Sequence, residues 1–317
     1  MSEERLEITR WCGTMAVHHH LLEVQPRYAE ARTGIEDQAF AWRRGARRET
    51  TVTIPVVVHV VWHEEAQNIA DEQIDGQIAV LNADFRKRNA DLDTVPEPFA
   101  PLVADARVEF ALAATGPDGE PTTGVTRTRT DTALFDADDA VKHSASGGAD
   151  AWPADRYLNL WVCPLGGGLL GYAQFPGGEP ETDGVVVNHR GFGTTGTATA
   201  PFDGGRTAVH EIGHWLNLRH IWGDDGEGCS GSDFVDDTPN QGGPNRGVPR
   251  FPNISCDNAP HGDLFMNFMD YSDDAAAVMF TEGQTERMDA CLAGPRSSFL
   301  EASGEPAEPD DLTPAAA

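Results

Sequence analysis

The 317 residues carry 51 acidic against 23 basic side chains, a formal net charge of −28, and only two of the cations are lysine, Lys87 and Lys142. A field of that sign repels phosphate backbones, which argues against a nucleic-acid partner and favours cationic peptide segments. A chain of this length buries a sizeable core without a metal staple, no apolar run is long enough to span a bilayer, and 33 glycines with 21 prolines point to a loop-rich mixed fold.

Residues 1–48 form an arginine-dotted leader that holds Cys12-Gly13-Thr14 and ends in Arg43-Arg44-Gly45-Ala46-Arg47-Arg48. Its charged start lacks the apolar stretch of a secretory signal. The nearly continuous apolar run over 51–62 predicts a strand buried on both faces. Asp71 is the expected N-cap of a helix whose apolar positions Ile74, Ile78, Leu81 and Phe85 share one side. Further strands are expected over 107–113, 157–162 and 185–187, with little pattern between 114 and 150. Gly166-Gly167-Gly168 breaks the chain ahead of Leu169-Leu170-Gly171-Tyr172-Ala173. Beyond a histidine-rich helix the sequence is irregular until a last helix over 281–292, and 301–317 reads as a disordered tail. Strands on either side of one helix, all ahead of the histidine-rich helix, predict an α+β fold with helices packed on a sheet. Cysteines stand at 12, 163, 229, 256 and 291, an odd number with no Cys-x-x-Cys, so spacing alone implies neither a disulfide framework nor a structural zinc ribbon.

The chemistry concentrates in His210-Glu211-Ile212-Gly213-His214-Trp215-Leu216-Asn217-Leu218-Arg219-His220. His210 and His214 are four apart, so on a helix they project from one side and grip a single Zn²⁺. A catalytic zinc takes three protein ligands and leaves room for water, whose proton Glu211 is placed to accept as general base. His220 is the expected third ligand. It is ten residues beyond His210, about 15 Å along a continuous helix, so the chain must turn back. That turn falls on Asn217, where the pattern His-Glu-x-x-His-x-x-Gly-x-x-His has glycine because positive φ is favoured. Asparagine is the non-glycine residue that best tolerates this region, at a local cost of about 1 kcal/mol. Downstream, Met266-Asn267-Phe268-Met269-Asp270-Tyr271 places Met269 under the zinc site as apolar support. Tyr271 is either a donor to a developing oxyanion or simply structural.

With these landmarks, and with His220-Ile221-Trp222-Gly223-Asp224, Asp236-Asp237-Thr238-Pro239 and Leu170-Gly171-Tyr172-Ala173-Gln174-Phe175-Pro176 beside them, residues 50–292 resemble the pappalysin family of metzincin metalloproteases, in its ulilysin-like branch. The resemblance implies a metzincin-type catalytic domain: a twisted mixed sheet with a backing helix and the zinc helix (49–220) above an irregular C-terminal subdomain (221–300). It implies a zinc endopeptidase made as a zymogen, in which the Cys12 thiolate occupies the open zinc position. Cuts before Arg44, Arg47 or Arg48 would release that leader. Leu169, Leu170, Gly171 and Tyr172 would form an antiparallel edge strand that pairs with extended substrate. Asp274 would floor a pocket selecting Arg, and secondarily Lys, on the C-terminal side of the cut bond. The bland alternatives are a plain loop at 169–172, a solvated Asp274 and an idle thiol at Cys12.

Also implied are a Cys229–Cys256 disulfide, worth about 3 kcal/mol in the chain-entropy model, and Ca²⁺ held by Asp233, Asp236 and Thr238. Relatives carry a second disulfide with a cysteine near Ala276, where this chain has three alanines, and Cys163 and Cys291 are expected to be inert core thiols. A monomeric, secreted protein acting on peptides or proteins that contain Arg or Lys is the resulting expectation. The competing reading is a catalytically inactive, zinc- and calcium-stabilised module that binds peptides. Glu211 argues against it, because a structural site needs no general base.

Overall fold

The computed structural model of the protein describes residues 11–42, 48–226 and 228–302. Among these residues six strands form one sheet: β1 (Val52–Trp62), β2 (Val108–Leu112), β3 (Val125–Arg129), β4 (Leu158–Cys163), β5 (Gly171–Ala173) and β6 (Val185–Asn188). The order is β2-β1-β4-β6-β5, with β3 continuing the β2 side of β1. All pairings are parallel except that of β5 with β6, so the sheet is mixed and its one antiparallel strand lies at an edge.

Pro55 inside β1 is accommodated by register. Val52 and Val58 send their N–H groups to Arg107 and Gly124 on the β2–β3 side, so odd-numbered residues face β4, and pairing with β4 begins only at Val56. The missing N–H of Pro55 therefore falls one residue ahead of that ladder. Strand β4 is buried on both faces and alternates between two cores. Leu158, Leu160 and Val162 join the core beneath the sheet, whereas Trp161 and Cys163 join a second core with Val17, Leu21 and Tyr28 of the leader.

That leader is helical, as α1 (Thr14–Val24) and α2 (Pro26–Trp42). The backing helix α3 (Asp71–Asp84) buries Ile74 and Leu81, with Phe85 at its C-cap. Its N-cap is Ala70, not Asp71; Asp71 is the first helical residue and its carboxylate pairs with Arg127 instead. Gln73 and Gln77 on α3 are buried polar residues with a positional task. Gln77 accepts from Gly193 N (2.7 Å) and donates to Gly205 O (2.9 Å), which ties α3 to the start of α4 (Arg206–Trp215). The last long helix is α5 (Glu282–Ala293), opened by a capping box between Thr281 and Gln284. A short α6 (Ser298–Ala302) follows, so the first two residues of the expected tail are helical, and 303–317 lie outside the described residues, as do the arginines at 43, 44 and 47. No helix described is long and apolar enough to cross a membrane.

Candidate metal centre and catalytic cleft

Helix α4 carries His210, Glu211 and His214 toward the interior, each at most 2% exposed. The helix then stops. Asn217 takes the left-handed conformation at φ 72°, its N–H reaching His214 O (2.9 Å) while Leu218 N–H reaches Gly213 O (2.9 Å). This is the reversal the spacing demands, and it brings His220 back to the first two histidines. Its cost is visible. Left-handed geometry costs a residue with a Cβ about 1–2 kcal/mol. The Asn217 side-chain amide is fully buried with no hydrogen-bond partner among the described residues, a further penalty of about 1–3 kcal/mol.

Each imidazole is pinned through Nδ1. His210 faces Phe268 O (2.7 Å), His214 faces Leu218 O (2.8 Å) and His220 faces the Asp224 carboxylate (2.6 Å). Acceptors at these positions fix the hydrogen on Nδ1 and leave the Nε2 lone pairs pointing inward. They converge: His214 Nε2 lies 3.2 Å from that of His210 and 3.1 Å from that of His220. Burial and the neighbouring His220 lower the His214 pKa, so this ring stays neutral. Three converging lone pairs repel one another unless a cation sits among them. Nitrogens at 2.0–2.1 Å around a tetrahedral zinc stand about 3.3 Å apart, so the donor set fits that ion.

Cys12 completes the cluster: its sulfur and the three imidazoles offer ligand atoms within 4.8 Å of one another. Desolvation, and then the Glu211 carboxylate, push this thiol well above its ordinary pKa, so only a cation at the imidazoles would hold it as thiolate. Residues 11–14 lie along β5 in the parallel sense, with a bridge between Cys12 and Gly171. Leu170 N donates to Trp11 O (3.0 Å) and Gly13 N to Gly171 O (2.9 Å). Thr14, fully buried, donates to Glu211 Oε2 (3.0 Å) and accepts from Ala173 N (2.8 Å). Cys12 Sγ also donates to Glu211 Oε2 (3.3 Å), and the Tyr271 hydroxyl meets the main chain of Cys12 at 3.3 and 3.4 Å.

Two glycines are set by close approach. A Cβ on Gly171 would stand 2.9 Å from Glu211 Cγ, and one on Gly213 would stand 2.4 Å from Met269 Sδ, so the methionine thioether packs directly against the histidine helix. Strand β5 begins at Gly171, and the side chains of Leu169 and Tyr172 point into the second core, so the leader meets this edge through its backbone. Asp274, 3% exposed, sits at the N-terminus of α4, where its Oδ2 accepts from Gly204 N (2.8 Å) and Arg206 N (3.3 Å). Asp233 accepts from Val235 N and from the Thr238 hydroxyl (3.0 and 2.8 Å); among the described residues the one group of three or more metal-type ligands is that of Cys12 and the histidines. Cys229 and Cys256 are bonded, Cα atoms 5.4 Å apart. Cys163 and Cys291 are free and buried, their thiols pushed up by desolvation, that of Cys291 to about 11.

Asp224, Trp222 and Thr14 join the site although the sequence alone marks none of them as functional. Trp222 stacks on His220 with ring centroids 4.3 Å apart and lies edge-on to Tyr271 at 4.8 Å. The i, i+4 spacing of Asp224 from His220 was a usable signal; the other two depend on tertiary placement. Trp222, Tyr271, His220 and Cys12 line a cleft of about 380 Å³.

The Peptidase_M43 model, described as pregnancy-associated plasma protein-A, matches residues 142–293. An extracellular metalloprotease of Pyricularia oryzae is 32% identical over 293 residues, covering 89% of this chain and 88% of that protein. Another from Arthroderma benhamiae is 32% identical over 247 residues, covering 75% and 71%. Among solved structures, a mutant of Tannerella forsythia promirolysin superposes with a TM-score of 0.87 at 47% identity, covering 95% of this chain and all of that one. Mature mirolysin in complex with a cleaved peptide gives 0.79 at 52% identity, covering 83% and 100%. The protein belongs to the Peptidase_M43 family of pappalysin-type metzincins and is a zinc metalloendopeptidase.

Proposed function

We propose that the chain is a latent endopeptidase that cleaves on the N-terminal side of Arg, and secondarily Lys, with His210, His214 and His220 as zinc ligands. The observation that carries the latency is Cys12 within 4.8 Å of the three imidazoles, while the same leader segment engages Glu211 and Tyr271. On this reading residues 1–48 are the leader, 49–220 the upper and 221–300 the lower subdomain, with 301–317 a tail. A zinc ion held by the imidazoles supplies a Lewis acid for the peptide carbonyl and acidifies water. Once residues 11–14 leave, Glu211 Oε2 is free of Thr14 and takes the water proton, then returns it to the leaving amine. Tyr271, its hydroxyl released from Cys12, donates to the developing oxyanion. The Leu169–Tyr172 backbone, vacated by the leader, pairs with extended substrate. Asp274, oriented by the Gly204 and Arg206 amides, receives the substrate guanidinium.

Calcium at Asp233, Asp236 and Thr238 is the second metal of the proposal. It is supported by Asp233, a buried carboxylate that the Val235 amide and the Thr238 hydroxyl hold in place, with Asp236 near it in the chain. The likeness to proteins named extracellular metalloproteases favours a secreted protein, and we take it to be a monomer. The test is to incubate the purified full chain with zinc, calcium and a peptide library, and to map cuts by mass spectrometry beside Glu211→Ala. Cuts before Arg and Lys that vanish in Glu211→Ala are expected. Cuts with no basic preference would overturn the Asp274 assignment, and hydrolysis that survives Glu211→Ala would overturn the mechanism.

A further inference from the structure

We propose that Arg287 is a positioning residue for the metal: by clamping the carbonyl of Asn217 it sets where His220 returns, a role that rests on the zinc-ligand assignment above. Arg287 belongs to α5, seventy residues from the turn, and is 6% exposed. Its Nε donates to Asn217 O at 2.7 Å, and its Nη2 donates to both oxygens of Glu36 at 2.8 and 2.6 Å. The guanidinium also lies 5.5 Å from the Phe234 ring centroid.

The clamp adds an outward hold to a turn whose backbone bonds, Asn217 N to His214 O and Leu218 N to Gly213 O, both run inward. The N–H of Asn217 is tied inward to His214 O, whereas its side-chain amide has no hydrogen-bond partner among the described residues. The residue sits in a conformation that its Cβ disfavours. Arg287 is thus the side-chain tether on the outward side of a strained residue only three positions ahead of a ligand. A rotation of the 217–218 peptide would break this bond together with that of Leu218 N to Gly213 O (2.9 Å), and would redirect the chain that leads to His220. Arginine suits the task because its planar fork serves two acceptors in different directions at once, which a lysine ammonium on the same stem does less well. Glu36 lies on leader helix α2, so the leader and the ligand turn share one cation.

The test uses the full chain in the Glu211→Ala background, which stops self-processing. Zinc release to a chromogenic chelator and the electronic spectrum of the cobalt(II)-substituted protein are compared for Arg287, Arg287→Lys and Arg287→Gln. Thermal unfolding of the zinc-free proteins serves as the fold control. Arg287→Gln is expected to release zinc about tenfold faster, at the low end of what losing an outer-sphere partner costs, with a shifted cobalt spectrum and little change in zinc-free stability. Arg287→Lys should fall between. Release and spectra equal to the parent overturn the proposal, as does a change matched by general loss of the zinc-free fold. If Arg287→Gln does not fold, Arg287→Lys decides: faster release than the parent supports the clamp and equal release overturns it. Glu36→Gln, which leaves the Asn217 carbonyl its donor, should change release less than about twofold; an effect as large as that of Arg287→Gln would assign the role to leader docking and overturn the clamp. A parent chain that binds no zinc would instead overturn the ligand assignment.

Discussion

The hydroxyl of Thr14 donates to Glu211 Oε2 over 3.0 Å while accepting the N–H of Ala173 over 2.8 Å, so one leader side chain bridges the carboxylate and the edge of the sheet. A hydrogen bond to a charged group contributes about 1.5–3 kcal/mol. Thr14→Val keeps the shape and removes both bonds, and should speed self-processing of the full chain about tenfold or more. Thr14→Ser should remain near the parent. Gel-resolved time courses of leader loss measure this, and equal rates for Val and Thr would remove the hydroxyl from the account.

Met269 Sδ lies where a Cβ on Gly213 would need to be, 2.4 Å away. Gly213→Ala therefore overpacks the support beneath the histidine helix, at about 1–3 kcal/mol. The melting temperature should fall by several degrees. Adding Met269→Ala should give less than the sum of the two single losses, since the residues touch. Additive losses in a double-mutant cycle would show that the contact is not felt.

Arg48 is anchored before any cut is made. Its guanidinium pairs with Asp289 (3.1 Å) and donates to the carbonyls of Thr50, Arg107 and Ala106. For the bond ahead of Arg48 to be cut, that side chain would have to leave all of these partners and enter the pocket proposed at Asp274. N-terminal sequencing of the self-processed protein should accordingly find Arg44 or Arg47 first. A mature chain beginning at Arg48 would contradict this.

Desolvation pushes the Asp84 carboxyl up to about 7 despite Arg206 at 3.4 Å. In the unfolded chain the same group titrates near 3.9. Between those values the folded protein binds the additional proton, so raising the pH from about 4 to 7 costs stability, and the loss is constant above that range. Asp84→Asn should flatten this part of the curve. Unfolding midpoints from pH 4 to 8 for both proteins give the slope; equal slopes would show that Asp84 ionises normally.

Much of this architecture was legible in the residues. The apolar run of β1, the amphipathic spacing of α3 and the Thr281 cap of α5 each carry a local signal, and the histidine spacing located the cluster of three imidazoles. Strand β3 escaped because Val-Thr-Arg-Thr-Arg is half-exposed and pairs only with β1. The leader helices escaped for a different reason. Arg32 is buried on α2 because Pro176 O and Glu36 receive its guanidinium, partners that no periodicity reveals. The same holds at the site: Asn217 announced the turn, but Arg287, which holds it, is seventy residues distant.

The parallel bridge between Cys12 and Gly171 has a further consequence during biosynthesis. Strand β5 is an outer strand with an unpaired side apart from the leader, and such a strand is a template for joining one chain to another. A nascent chain that lays residues 11–14 along it folds with that template already taken. On the proposed reading, the segment that silences the enzyme would thereby also cover an edge that is otherwise a template for chain-to-chain pairing.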